Sequence, residues 1–126
     1  MSRSVILSTA APQPVSAYSQ AIQSGSLLFL AGQIPLDPVT GQVVSGTIAE
    51  ETERVIENLQ AVLSAAGATL ANVVKTTVYL TNMADFAAFN AAYARHFTKD
   101  PPARTTVAVA ALPLGVRVEV EAIAAL

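Results

Sequence analysis

The sequence predicts an α+β domain, a mixed β-sheet with two helices packed on one face. Three observations lead there. Apolar, β-branched runs recur along the chain, two stretches between them show helical apolar spacing, and the C-terminal end holds a pair of strands. At 126 residues, with no Gly/Ser-rich linker, internal repeat or low-complexity tract, the chain reads as a single domain spanning 1–126.

In chain order, "SLLFLAG" (26–32) is a short apolar run closed by glycine and reads as a buried strand. The two prolines, Asp-Pro and Thr-Gly of "QIPLDPVTGQVV" make turn and loop. "TIAEETERVIENLQAVLSAAG" (47–67) is the clearest helix. Thr47 and Glu50 form a capping-box pattern, acidic residues crowd the first turn, and Gly67 closes the end. Val55, Leu59, Val62 and Ala66 repeat on one face, with Ile56 and Leu63 beside them. "NVVKTTVYLTN" (72–82) is β-branched and reads as a strand. A second helix is expected over about 84–97, where Phe86, Phe89, Tyr93 and Phe97 form an aromatic stripe that reads as core. "RTTVAVAAL" (104–112) and "VRVEVEAIAAL" (116–126) read as two more strands, separated by "PLG".

Composition excludes several functions. There is no cysteine, so a disulfide framework, a thiolate nucleophile and a Cys-based zinc site are ruled out. The N-terminal "MSRSVILSTAAPQPV" lacks a long apolar core, so neither a signal peptide nor a membrane span is expected, and a cytoplasmic location follows by default. The formal net charge is −2, and Arg3, Arg54, Lys75, Arg95, Lys99, Arg104 and Arg117 are scattered, which argues against a nucleic-acid surface. Charged residues make up 13% of the chain and hydrophobic ones 52%, against about 25% charged in an average soluble domain. An Ala-rich chain lowers charge without creating sticky patches, yet a charge-poor surface on so small a domain favours an obligate oligomer.

Familiar catalytic devices are missing: no G-x-x-x-x-G-K-[ST], no G-x-G-x-x-G and no G-x-S-x-G. The single histidine, His96, lies off the aromatic stripe and is expected at the surface rather than in a triad or metal site. In the last strand Val116, Val118, Val120 and Ala122 share the face that receives the helices, and Arg117, Glu119, Glu121 and Ile123 point the other way. Glu119 and Glu121 then stand roughly 7 Å apart, twice the rise per strand residue. That separation invites a glycosidase comparison, but the chain has no tryptophan and few spare polar residues to build a sugar site. Spacing alone reads as a solvated face with Arg117 neutralising a neighbour. Arg104 follows Pro101-Pro102, which stiffen its approach to the strand. A guanidinium on a stiff stem suits bidentate capture of a carboxylate, and it suits an internal salt bridge to Glu119 or Glu121 equally well.

"AYSQAI", "LAGQIPLDPVTG", "ENLQAVLSAAG", "VVKTTVYLTNMADFAAFNAAYARHF", "PPARTTVAVAALP" and "VEVEAIA" together resemble the RidA family, also called YjgF, from about residue 11 to 125. The resemblance implies a chorismate-mutase-like α+β subunit and a homotrimer with an active-site cleft at each subunit interface. It also implies hydrolysis of reactive 2-imino (and tautomeric enamine) acids, such as 2-iminobutanoate or 2-iminopropanoate, to 2-oxo acids and ammonia, with no metal or cofactor. By its motifs, Arg104 would hold the substrate carboxylate and Glu119 would handle the hydrolytic water. Tyr18, Asn90 and the backbone of Gly32 would line the cleft, and Thr106 would sit where relatives carry Cys or a small residue. Ala31 replaces the Ser or Thr that family members often carry before G-Q-I-P. Arg104 would orient the substrate, Glu119 would act as acid–base group, and Tyr18 would shape the pocket. Two rival readings are an endoribonuclease-type translation inhibitor and a non-catalytic trimer that binds small carboxylates.

Overall fold

The computed structural model describes residues 2–126. Six strands form one sheet: β1 (Ser4–Ile6), β2 (Ala21–Ser24), β3 (Leu27–Gln33), β4 (Val73–Leu80), β5 (Ala103–Ala108) and β6 (Val118–Ala125). Two helices, α1 (Ile48–Ala65) and α2 (Phe86–Ala94), complete the fold. The sheet order is β1-β2-β3-β6-β4-β5, antiparallel throughout except for the parallel β4–β5 pair at one edge. Among the described residues no helix is long and apolar enough to cross a membrane.

Each helix follows from local chemistry. The Thr47 hydroxyl accepts from the Glu50 amide (3.2 Å) and the Glu50 carboxylate accepts from the Thr47 amide (3.0 Å), closing the expected capping box. Gly67, at φ +75°, ends α1 in the left-handed conformation that glycine takes without steric cost. Val55, Ile56, Leu59, Val62 and Leu63 are buried against Leu28, Leu30, Val78, Val118 and Val120 of the sheet, the centre of the core. The chain between β3 and α1 is held by Asn58, whose buried amide donates to the carbonyls of Ile34 (3.2 Å) and Leu36 (3.0 Å).

Several boundaries differ from expectation. β3 is only half-buried: α1 covers one face, and Leu27 (39%) and Phe29 (43%) stand exposed on the other. α2 is shorter than 84–97 because Met83–Asp85 forms a 3-10 turn capped by Asn82, and because the chain turns at Arg95 and His96, which reach across to Glu53 of α1. β5 stops at Ala108, since its only partner, β4, ends at Leu80. The strand expected over 116–126 begins at Val118, after a 3-10 turn at Pro113–Gly115. The short strands β1 and β2 escape a pattern reading because their order comes from pairing along the β3 edge.

Arg117 corrects the reading of the last strand. It does not neutralise the carboxylates that follow it. It turns toward the helices and forms an ion pair with the buried Glu51, whose carboxylate also accepts from the Arg117 amide (3.4 Å). Its guanidinium donates as well to the Gly46 carbonyl. This charge-assisted cluster ties the start of α1 to the start of β6. Glu51→Gln is expected to lower stability by about 1–3 kcal/mol, the cost of losing hydrogen bonds to a buried charged group. Urea denaturation measures it, and an unchanged midpoint would show that the cluster adds nothing.

Candidate active site

The two residues with most chemical promise lie on opposite sides of the sheet. On the open face a cleft of about 470 Å³ is lined by Tyr18, Ala31, Gly32, Ile34, Leu114 and Glu119, among others. β3 carries a bulge there: Leu30 pairs with Ala122 and Gln33 with Val120, so Ala31 and Gly32 together oppose Glu121. A Cβ added at Gly32 would stand 2.1 Å from Glu119 Oε2, so the carboxylate rests directly over this glycine's backbone. Tyr18 reaches the rim from the loop before β2, half-exposed (51%). Buried Gln20 organises that loop, accepting from the Ser8 amide (2.6 Å) and donating to the carbonyls of Ser8 (3.1 Å) and Pro12 (2.9 Å).

Glu119 and Glu121 do share the open face, but they are not equivalent. Tyr79 of β4 donates to Glu121 (2.5 Å), and this bond pushes the phenol's own pKa up. Among the described residues no protein donor reaches Glu119. Burial, with the negative charge of Glu121 adding to it, pushes the Glu119 carboxyl above the usual glutamate value. A carboxyl of that kind accepts and returns protons nearer neutral pH than an exposed one.

Arg104 projects from β5 toward the helices. It pairs in register with Thr76 of β4, a fully buried core position, and so shares its face. The guanidinium carbon lies 4.8 Å from the Tyr93 ring centroid, 5.6 Å from Phe86 and 5.9 Å from Phe89. A cleft of about 370 Å³ beside it is lined by Asn90, Tyr93, Phe97, Pro101, Pro102 and Arg104. No carboxylate of the described residues pairs with Arg104, which removes the internal salt bridge to Glu119 or Glu121. The aromatic stripe is therefore more than core, a role its helical spacing gave no sign of: the pairing of β5 with β4 is what brings Arg104 beneath it.

The remaining candidates fall to one side or the other. Asn90 stands beside Arg104, while Tyr18 and Gly32 stand beside Glu119. Thr106, two residues after Arg104 on the same face, buries a hydroxyl with no hydrogen-bond partner among the described residues. His96, expected at the surface, is tied to α1. It is half-buried and contacts Glu53 (2.6 Å), whose other oxygen accepts from Arg95 (2.8 Å). Burial opposes the charge on Glu53, yet these bonds outweigh it and hold its carboxyl below the usual range. Among the described residues no group of three His, Asp or Glu side chains is disposed to hold a metal.

The family model described as Endoribonuclease L-PSP matches residues 8–126. The chain belongs to this family. A RutC family protein of Pyrococcus abyssi is 52% identical over 124 residues, covering 98% of each chain. The mouse protein named 2-iminobutanoate/2-iminopropanoate deaminase is 48% identical over 122 residues, covering 97% of this chain and 90% of its own. The crystal structure of E. coli TdcF with bound serine superposes with a TM-score of 0.94 at 35% identity, covering 98% of both chains. L-PSP relatives thus share the mixed sheet and its two helices, and the family includes proteins named RidA and imine deaminase.

The charge of Glu121 is expected to shape the titration of Glu119. Removing a like charge favours the ionised form, so Glu121→Gln should lower the Glu119 midpoint toward the ordinary glutamate value. Carboxyl-carbon NMR titration of both proteins reads it directly. A Glu119 midpoint that does not move in the variant would contradict the coupling.

Proposed function

We propose that this protein hydrolyses reactive 2-imino acids to 2-oxo acids and ammonia, at clefts formed between neighbouring copies of a homotrimer. The observation that carries the reading is that one chain presents an unneutralised guanidinium and an unpartnered carboxyl on opposite faces of its sheet. Arg104 and Glu119 lie on opposite faces of the sheet, with β4 between their strands. A neighbouring copy that lays its Arg104 edge against the open face supplies what the single chain lacks. That open face is apolar enough to invite one: Leu27, Phe29 and Val107 are each about two-fifths exposed.

The chemistry fits these groups. A 2-imino acid carries a carboxylate next to an electrophilic C=N carbon. Arg104 would hold the carboxylate through two parallel N–H···O bonds and fix the carbon's position. Asn90 and the Thr106 hydroxyl lie on the same side as Arg104 and would complete the substrate's surroundings. Glu119, as carboxylate, would take a proton from water as its oxygen bonds to the C=N carbon. Glu119 returns that proton to nitrogen, giving a tetrahedral amino alcohol; the hydroxyl proton then passes through Glu119 to nitrogen as the C=O bond forms and the C–N bond breaks, and ammonia leaves with the 2-oxo acid. Tyr18 and the Gly32 backbone would bound the pocket on the Glu119 side. Water supplies the oxygen and no electrons change hands, so the reaction needs no cofactor.

Relatives support the reading: the mouse protein is named for this activity, and TdcF was crystallised with serine, which carries the same α-carboxylate. An RNA-cleaving role has less behind it, since the chain is acidic and its one histidine is engaged by Glu53. A purely carboxylate-binding trimer predicts no acceleration of imine decay.

Imines generated in situ with an amino-acid oxidase test the reading. Glu119→Gln should slow enzyme-dependent decay by about 10²-fold or more. Arg104→Lys, which loses the bidentate fork, should raise KM about tenfold or more. Decay no faster with wild type than without it rejects the activity. The shared cleft has its own test. Co-refolding inactive Arg104→Ala and Glu119→Gln chains should restore part of the activity, because some interfaces then pair an intact Arg104 with an intact Glu119. No recovery in verified mixed trimers would place both groups in one chain.

A further inference from the structure

We propose that Phe86, Phe89 and Tyr93 are positioning residues that hold the Arg104 guanidinium in place of a counter-ion and leave its hydrogen-bonding edge free for the substrate carboxylate. The inference rests on the carboxylate-binding role assigned to Arg104 above and adds how the protein prepares it.

A half-buried guanidinium loses hydration, and proteins usually compensate with a carboxylate. Arg104 has none among the described residues. A built-in carboxylate would satisfy the cation but occupy the N–H fork that a substrate acid must reach. Aromatic rings avoid that competition. Their negative π faces attract a cation within about 6 Å of the centroid, and they accept no bidentate pair of hydrogen bonds. All three centroids fall inside that range, at 4.8, 5.6 and 5.9 Å. Tyr93 and Phe97 of the same aromatic stripe, with Asn90 of α2, also line the cleft beside the guanidinium.

The nearest ring is itself anchored. Buried Tyr93 shares a 2.7 Å hydrogen bond with the Thr76 hydroxyl, and its ring packs between Phe89 (centroids 5.4 Å) and Phe97 (4.5 Å). Thr76 is also the β4 residue in register with Arg104. One strand pair therefore fixes both the cation and the ring beside it, and their separation does not depend on a flexible loop.

Phe86 is the ring to test, being only partly buried and so least able to disturb the core. Site-specific replacement by mono-, di- and trifluorinated phenylalanine withdraws π density while nearly preserving shape. Binding of 2-oxobutanoate, read by calorimetry, should weaken stepwise, reaching about 2- to 5-fold at the most fluorinated ring. Tm should stay constant, and kcat on saturating imine should stay within twofold while KM rises. Phe86→Leu, which removes the ring, should weaken binding at least as much as the trifluorinated ring. Wild-type affinity that does not change along the fluorine series overturns the proposal, even if Phe86→Leu binds poorly, because shape alone would then explain the contact. A wild type that binds no 2-oxo acid overturns the carboxylate site itself.

Discussion

Side chains alternate across a strand, and β4 lies between β5 and β6. With Arg104 in register with buried Thr76 and Glu119 with Tyr79, that alternation puts Arg104 on the helix side of the sheet and Glu119 on its open side, and most of what is distinctive about this molecule follows. Within a single chain the two groups line separate clefts, one on each face. In the proposed trimer a second copy would bring them together, so assembly and chemistry would become the same problem, and the exposed apolar residues of the open face would serve it.

The distribution of charge serves that division. Arg117 is committed to Glu51, Arg95 and His96 to Glu53, and Tyr79 to Glu121. Each of these contacts joins separate elements and stabilises the frame. Glu119 is left without a protein donor and Arg104 without a carboxylate. Both groups stay outside the ion pairs that form within the chain, and each lines a cleft. Gly32 and the β3 bulge show the same economy, since the carboxylate of Glu119 lies where any larger residue would place its Cβ.

Where local interactions dominate, the sequence was legible. The capping box and the apolar face of α1 are properties of residues three and four apart, and they hold in the structure. The alternation of β6 likewise separates Val118, Val120 and Ala122 from Glu119 and Glu121 as expected. Reading failed where a distant segment decides. Parity alone puts Arg117 on the carboxylate face, but β6 begins one residue later and a buried glutamate on α1 draws the guanidinium the other way. Local pattern likewise gives no sign of the tie between His96 and Glu53, 43 residues away.

The sequence by itself determined the fold class, the absence of thiol chemistry and, through its motifs, the family and the candidate residues. These rest on residue identity, short spacing and motif order, all of which the linear chain carries in full. Only the tertiary structure decided which face each candidate occupies, that Arg104 lies among aromatic rings rather than beside a glutamate, and that Glu121 is engaged while Glu119 is not. Those outcomes depend on which strands become neighbours and in what register. Pairings between distant segments are set by packing of the whole sheet, and no local stretch encodes them.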